Sequence, residues 1–122
     1  MSDEFLRVAR QEIQSELDNL NKIFLSCAND EQFHERSVEI AKHIHKIKGL
    51  APMMGQEKMG EIAKMSDIIT KHVSSHGVLR GSHGIILDAV KRMSSLCNGQ
   101  TNIQPDDFRK RVMDTYPDIF EF

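Results

Sequence analysis

Tryptophan is absent from this 122-residue chain, and aromatic residues of all kinds make up only 6% of it. Alternating runs of β-branched residues, which are typical of strands, are also few, whereas Leu, Ile and seven Met supply much of the apolar content. The hydrophobic fraction is 39%, and the length allows one sizeable core but not two. The composition therefore predicts a single all-α domain.

Neither a dominant charge nor a long hydrophobic run is present. Sixteen basic and eighteen acidic residues give a formal net charge of −2, which excludes the global basic field that attracts nucleic acid. No apolar run approaches the roughly 20 residues that span a bilayer. The acidic start of the chain also lacks the basic and apolar regions of an export signal. We therefore expect a stand-alone, monomeric, cytoplasmic protein that binds neither nucleic acid nor membrane.

Cysteine occurs only twice, without the Cys-x-x-Cys spacing of metal and redox sites. Cys27 and Cys97 each lie at the end of an apolar helical pattern, where a small thiol is commonly buried. Both are predicted to be reduced core residues.

Apolar residues recur at intervals of three and four, the spacing of amphipathic helices. The first such pattern begins at residue 2 or 3 and ends near residue 27. A break follows, and Asp30 is predicted to cap the next helix. The second pattern spans 33–51, where Pro52 predicts an end or a kink because it cannot donate a backbone hydrogen bond.

The third pattern spans 56–73 and precedes a predicted loop at 74–81. The fourth begins at Ser82 or nearby and stops before Gly99, which is a typical residue after a helix end. Four amphipathic helices with short connections favour an antiparallel four-helix bundle, here predicted over residues 1–99.

Residues 100–122 form a predicted C-terminal extension that contains one short helix. Pro105 and the two aspartates after it suit a helix start. Phe108, Val112 and Met113 are predicted to form its apolar face. The chain ends with three apolar side chains, so the extension either packs on the bundle, as we expect, or binds a partner.

The stretch from His45 to Gly49 combines chemical groups that a helix brings together. Lys48 and Gly49 follow His45 by three and four positions, so all three lie on neighbouring parts of one helix surface. His45 falls at the edge of the apolar stripe, where a side chain can be held by packing and still reach water. An exposed imidazole is partly unprotonated at neutral pH and can accept a phosphoryl group.

The other two residues of this stretch suit the same chemistry. Lys48 can stabilise the negative charge that spreads over a transferred phosphoryl group. Gly49 costs about 1 kcal/mol relative to Ala inside a helix, but it leaves room for an incoming protein surface. The sequence has no phosphate-binding loop, kinase motif or carboxylate cluster for Mg²⁺. Another protein must therefore load and unload the histidine, which makes the chain a carrier rather than an autonomous catalyst.

This stretch resembles the signature of histidine phosphotransfer (HPt) domains, which is His-x-x-Lys-Gly followed by an Ala and, ten residues after the His, a Gly. His45, Lys48, Gly49, Ala51 and Gly55 fill those places. The resemblance implies a four-helix bundle in a two-component phosphorelay. Phosphoryl groups would come from the aspartate of a response-regulator receiver domain or from a sensor or hybrid histidine kinase, and pass to another response regulator.

The resemblance also implies a role for each residue of the motif. His45 would be phosphorylated, Lys48 would face the phosphate, and Gly49 would give access to the receiver. The Mg²⁺ used in such transfers belongs to the receiver, so no cofactor of the chain's own is expected. The match weakens further along, where Asp67 stands at a place that usually holds Glu.

Residues around the motif are candidates for contact with a receiver. Lys42 and Lys46 add positive charge that suits an acidic receiver surface, although both can equally be an ordinary solvated face. Met53 and Met54 can form an adaptable contact patch or belong to the core. His43 projects to the opposite edge of the helix from His45 and is predicted to be solvated.

Two other functions remain open from the sequence. One is a helical module that binds receivers or kinases without phosphorylation, for which His45 would be dispensable. The other is a metal-binding bundle, since His72 and His76 have the four-residue spacing that chelates an ion on a helix. The loop predicted at 74–81 would disrupt that spacing, so no metal site is expected.

Overall fold

The computed structural model describes residues 2–120, and this range is helical for most of its length, with no strand in it. The helices of the range are α1 (Asp3–Leu25), α2 (Asp30–Glu35), α3 (Ser37–Met53), α4 (Glu57–His76), α5 (Ser82–Cys97) and α6 (Pro105–Thr115). The all-α prediction is confirmed. None of these helices is long and apolar enough to cross a membrane.

The long helices α1, α3, α4 and α5 form the body of the protein. α1 packs against α3 and α5, and α4 packs against the same two helices, so their contacts close into a ring. The spacing of three and four along each helix puts its apolar side chains inside this ring. Each large side chain buried there stabilises the fold by about 1.5–3 kcal/mol before conformational entropy is subtracted. Among the described residues, the largest fully buried side chains are Phe33 of α2, Phe108 of α6 and, from the four long helices, Ile13, Leu17, Leu20, Ile40, Ile44, Ile47, Met59, Ile62, Ile69 and Ile86.

The second predicted pattern, 33–51, is divided at Arg36 into α2 and α3. α3 then ends at Met53, one residue after Pro52, as the proline predicts. Gly60 of α4 lies against Pro52, because a β-carbon at Gly60 would come within 3.0 Å of the proline Cγ. Gly60 therefore lets α4 approach α3 closely, and this approach decides which side chains of the two helices meet further along.

The helix caps around α2 and α5 differ from the prediction. Asn29, rather than Asp30, caps α2, and its side chain accepts a 2.9 Å hydrogen bond from a backbone N–H of the first turn. The Asp30 carboxylate instead accepts hydrogen bonds of 2.9 Å from the backbone N–H groups of Gly81 and His83. It thus caps α5, for which Ser82 is the predicted cap. Asp30 reaches α5 because α2 packs against α5. The local sequence around Asp30 carries no information about this packing.

α4 continues to His76, through a stretch that the composition predicts to be a loop. The Ser74 hydroxyl donates a 3.1 Å hydrogen bond to the carbonyl of Thr70, so this serine is accommodated within the helix. The helix ends only at His76, and the next residue, Gly77, has a φ of +102°, which suits glycine. The predicted end after residue 73 is therefore wrong.

Helix α6 packs on the outside of α4. It begins at Pro105, as predicted, and buries Phe108 and Val112. Met113 is 41% exposed, so its predicted place on the apolar face is wrong. The residue follows Val112 by one position, which turns it about 100° away from the buried side.

The chain beyond α6 folds back onto the body of the protein. The Tyr116 hydroxyl donates a 2.7 Å hydrogen bond to the carbonyl of Arg80, in the connection between α4 and α5. Burial, with a smaller contribution from the Asp30 carboxylate, raises the pKa of Tyr116 to about 12. Phe120 is buried as well. The remaining residues of the predicted apolar end, 121–122, lie outside the described range.

The two cysteines are free thiols. Cys27 is buried, as predicted, whereas Cys97 is only partly buried. Burial raises the pKa of both thiols, so both remain protonated and weakly reactive at neutral pH.

Candidate functional site

His45 lies on the outer side of α3, next to α4, and its side chain is 58% exposed. Ile44 and Ile47 are fully buried on either side of it in the sequence and fix the orientation of the helix. The imidazole therefore stands at the edge of the buried face, the position that helical spacing predicts for it.

A buried carboxylate on α4 organises the surroundings of His45. Asp67 has only 4% of its side chain exposed, and its Oδ2 lies 3.7 Å from Nδ1 of His45. The same oxygen accepts hydrogen bonds from Lys48 at 3.0 Å and from Lys71 at 2.9 Å. These residues are called the Asp67 cluster below: His45, Lys48, Asp67 and Lys71.

The Asp67 cluster keeps its carboxylate charged. Burial by itself raises the pKa of Asp67, but the hydrogen bonds and charges of Lys71 and Lys48 outweigh this effect, and the pKa is lowered overall. The second oxygen, Oδ1, is buried and accepts no hydrogen bond from the described residues. Both lysines donate to the same oxygen, Oδ2. This oxygen therefore holds the two ammonium groups in place near the imidazole.

Lys71 is the member of the cluster that the sequence analysis missed. Its ammonium nitrogen lies 3.3 Å from Nδ1 of His45, on the exposed side of α4. The available signal was the four-residue spacing between Asp67 and Lys71, which brings an acid and a base together on a helix. The spacing does not predict that this pair lies opposite His45.

Lys48 is predicted to face a phosphate, and in this structure its ammonium is bound to Asp67. Lys48 is therefore linked to His45 through Asp67, whose Oδ2 lies near both side chains. Its role toward a phosphoryl group stays a prediction.

Gly49 is exposed on α3, one helical turn after His45. A β-carbon at this position would meet no atom within 4 Å. Packing therefore does not require a glycine at this position. Receiver access through Gly49 stays a prediction. Of the other candidate contact residues, Lys42 and Met53 are exposed and Met54 is partly buried.

His43 does not belong to the solvated surface, which corrects the prediction. Its side chain is only 19% exposed, and its Nδ1 pairs with Oε2 of Glu16 on α1. Glu16 is itself buried, and its other oxygen lies 3.3 Å from the ammonium of Lys46. This cluster ties α1 to α3 and occupies a different side of α3 from His45.

His72 and His76 share α4, because the helix does not end before them. Their rings stack with centroids 4.1 Å apart and an interplanar angle of 12°. Partial burial and the neighbouring His76 lower the pKa of His72. Within residues 2–120, no group of three or more His, Cys, Asp or Glu side chains is arranged to hold a metal ion.

The Asp67 cluster thus presents an exposed imidazole beside two ammonium groups that a buried carboxylate holds in place. Such a site can bind a dianionic group over the ring and stabilise positive charge on the ring itself. Among known proteins, no family model, curated protein or solved structure matches the chain.

Proposed function

We propose that this protein is a phosphoryl carrier of the histidine phosphotransfer type. His45 accepts a phosphoryl group from the aspartate of a receiver domain and passes it to another receiver. The observation that carries the proposal is the exposed His45 imidazole beside Lys71 and the buried Asp67. The ring of α1, α3, α4 and α5 is compatible with the four-helix bundle that the sequence resemblance implies.

The two neighbours of Nδ1 prefer opposite tautomers of His45. A lysine ammonium can only donate a hydrogen bond, so Lys71 favours a lone pair on Nδ1, whereas the carboxylate of Asp67 favours a proton there. An arriving phosphoryl dianion attracts Lys71 more strongly than a neutral ring does. When Lys71 turns to the phosphoryl group, the tautomer with its proton on Nδ1, beside Asp67, becomes the favoured one, and Nε2 then carries the nucleophilic lone pair.

Nε2 of His45 then attacks the phosphorus of the receiver's aspartyl phosphate. The nitrogen–phosphorus bond forms as the phosphorus–oxygen bond to the receiver's aspartate breaks, and the aspartate leaves as a carboxylate. The ring becomes positively charged because Nδ1 retains its proton, and Asp67 lies 3.7 Å from that nitrogen to stabilise the charge. Lys71 and Lys48 are the cations available to the phosphoryl oxygens.

Intact-mass spectrometry tests this proposal. The protein is mixed with a phosphorylated receiver domain and Mg²⁺ and measured at neutral to alkaline pH, because phosphohistidine is labile in acid. We expect one added phosphoryl group on the wild type and on His43→Gln, and none on His45→Gln. Labelling that persists in His45→Gln would disprove His45 as the acceptor. No labelling by any of several receivers would favour the non-phosphorylated binding module instead.

A further inference from the structure

A groove with a volume of about 660 Å³ runs between α4 and the C-terminal segment. Pro52, Met65 and Ile68 line it from the side of α3 and α4, and Met113 and Phe120 line it from the C-terminal side. Met113 is 41% exposed, so its side chain can be reached from solvent at the groove. The groove therefore offers an apolar surface that is built partly by the C-terminal segment, defined here as α6 and the residues after it up to 120.

This groove is continuous with the Asp67 cluster. Lys48 lines the groove and donates a hydrogen bond to Asp67, and Ile68 directly follows Asp67 on α4. A stable protein interface covers about 800 Å² on each partner, which corresponds to a disc of roughly 16 Å radius. From Ile68 the groove follows α4 back to Glu57, a length of roughly 16 Å at 1.5 Å per residue. A partner centred on His45 therefore covers much of the groove.

The charges at the rim indicate the chemistry of that partner. Lys48 and Lys64 line the groove nearest to the cluster, and Glu57 lies at its far end. Glu61 and Arg109 also line it, but they pair with each other across α4 and α6. Lys48 pairs with Asp67, but Lys71 pairs with the same carboxylate, so these three residues keep one excess positive charge next to Lys64. The end closest to His45 is thus positive, which complements the carboxylates with which a receiver binds Mg²⁺ around its aspartate.

Resting on the proposed function, we propose that this groove is a docking surface for the same receiver that exchanges its phosphoryl group with His45. Apolar side chains of the receiver enter between Met113 and Ile68 while its acidic site faces Lys48. The C-terminal segment thereby contributes to the choice of receiver.

Single-turnover transfer from a phosphorylated receiver, measured over a range of receiver concentrations, tests the docking. Met113→Glu and Lys64→Glu are compared with Val8→Glu, a control that is similarly exposed at 50% and lies on α1, which packs chiefly against α3 and α5. Active protein is normalised by labelling His45 with phosphoramidate, which needs no docking. We expect Met113→Glu and Lys64→Glu to lower transfer at limiting receiver by at least tenfold, with a much smaller effect at saturating receiver. Val8→Glu should match the wild type.

The outcomes separate the docking from the proposed function. If the wild type is labelled on His45 but both groove variants transfer as fast as Val8→Glu, the docking is disproved and the carrier function stands. If no receiver labels the wild type, both fail together. A wild-type dimer that Met113→Glu dissociates in sedimentation would assign the groove to a second copy of the chain and overturn the receiver proposal.

Discussion

Lys71 contacts both ends of one electrostatic pair: its ammonium lies 2.9 Å from Oδ2 of Asp67 and 3.3 Å from Nδ1 of His45. The lysine is about half exposed, whereas the carboxylate is buried. The mobile partner is therefore the lysine, which can turn to a phosphoryl group without moving the helix. Asp67 stays in place beside the imidazole.

Replacing Lys71 by Met should slow phosphoryl transfer by roughly tenfold, which corresponds to about 1.4 kcal/mol, because one cation facing the phosphoryl group is lost. Lys71→Arg should retain most of the rate. Stability should change by less than about 1 kcal/mol, since the ion pair is partly exposed. Rapid-quench transfer assays measure the rate, and ¹⁵N NMR of His45 should show a shift toward the Nδ1-protonated tautomer in Lys71→Met.

A lysine on another helix controls for the loss of a positive charge. Lys91→Met removes an exposed lysine from α5 and should transfer at the wild-type rate. Equal rates for Lys71→Met and Lys91→Met, with an unchanged tautomer, would contradict a direct role for Lys71.

Asp67→Asn should destabilise the protein by about 1–3 kcal/mol at pH 7, because the asparagine offers both lysines a much weaker acceptor. The pKa of Asp67 is lowered in the folded protein, so its charge stabilises the fold at pH values above the unfolded pKa of about 3.9. That contribution is lost as the pH falls through the lower folded pKa. Urea unfolding at pH 7 and pH 3 should therefore give a difference between wild type and variant that shrinks with acid. A difference that is the same at both pH values would show that packing, not charge, is the cause.

Tyr116 should report the attachment of the C-terminal segment in alkali. Its pKa is raised to about 12, so the stability it contributes is complete below the unfolded pKa of about 10 and is lost as the pH rises towards 12. It is the one tyrosine of the chain, and tryptophan is absent, so tyrosinate absorbance reads this residue alone. The native protein should titrate near 12 and the urea-unfolded chain near 10.

A Tyr116→Phe variant completes that test. It loses the hydrogen bond to Arg80, which should cost about 1 kcal/mol at pH 8. It should also lack the extra loss of stability between pH 10 and 12. A native tyrosine that titrates at its ordinary value would mean that the segment is not held against the connection between α4 and α5.

Helical periodicity predicted the four long helices because their apolar residues must all reach one core. The same periodicity placed His45 at the edge of the buried face, since Ile44 and Ile47 occupy the inside. Local composition was a poorer guide to helix ends. Asp30 caps α5 through His83, 53 residues further along the chain, and α4 runs through Ser74, whose hydroxyl bonds within the helix.

The pairing of Asp67 and Lys71 with His45 could not be predicted from spacing. It depends on the register of α4 against α3, which is set by close approaches such as that of Gly60 to Pro52. His43 shows the same limit, because its partner Glu16 lies on another helix. A helical pattern gives the face on which a residue lies, but not the residue opposite to it.

Gly49 provides the sharpest test of how folding and function divide at this surface. The position is helical and exposed, and a β-carbon there meets nothing within 4 Å, so Gly49→Gln should stabilise the protein by up to about 1 kcal/mol. This should raise the melting temperature by roughly 4 °C or less. The longer side chain should at the same time weaken receiver binding several-fold, because it occupies space that the partner needs. Gly84, in the first turn of α5, is an exposed helical glycine with equally open space, so Gly84→Gln should leave the fold intact and transfer unchanged. Unaltered transfer in Gly49→Gln would mean that the glycine serves neither the fold nor the access of a receiver.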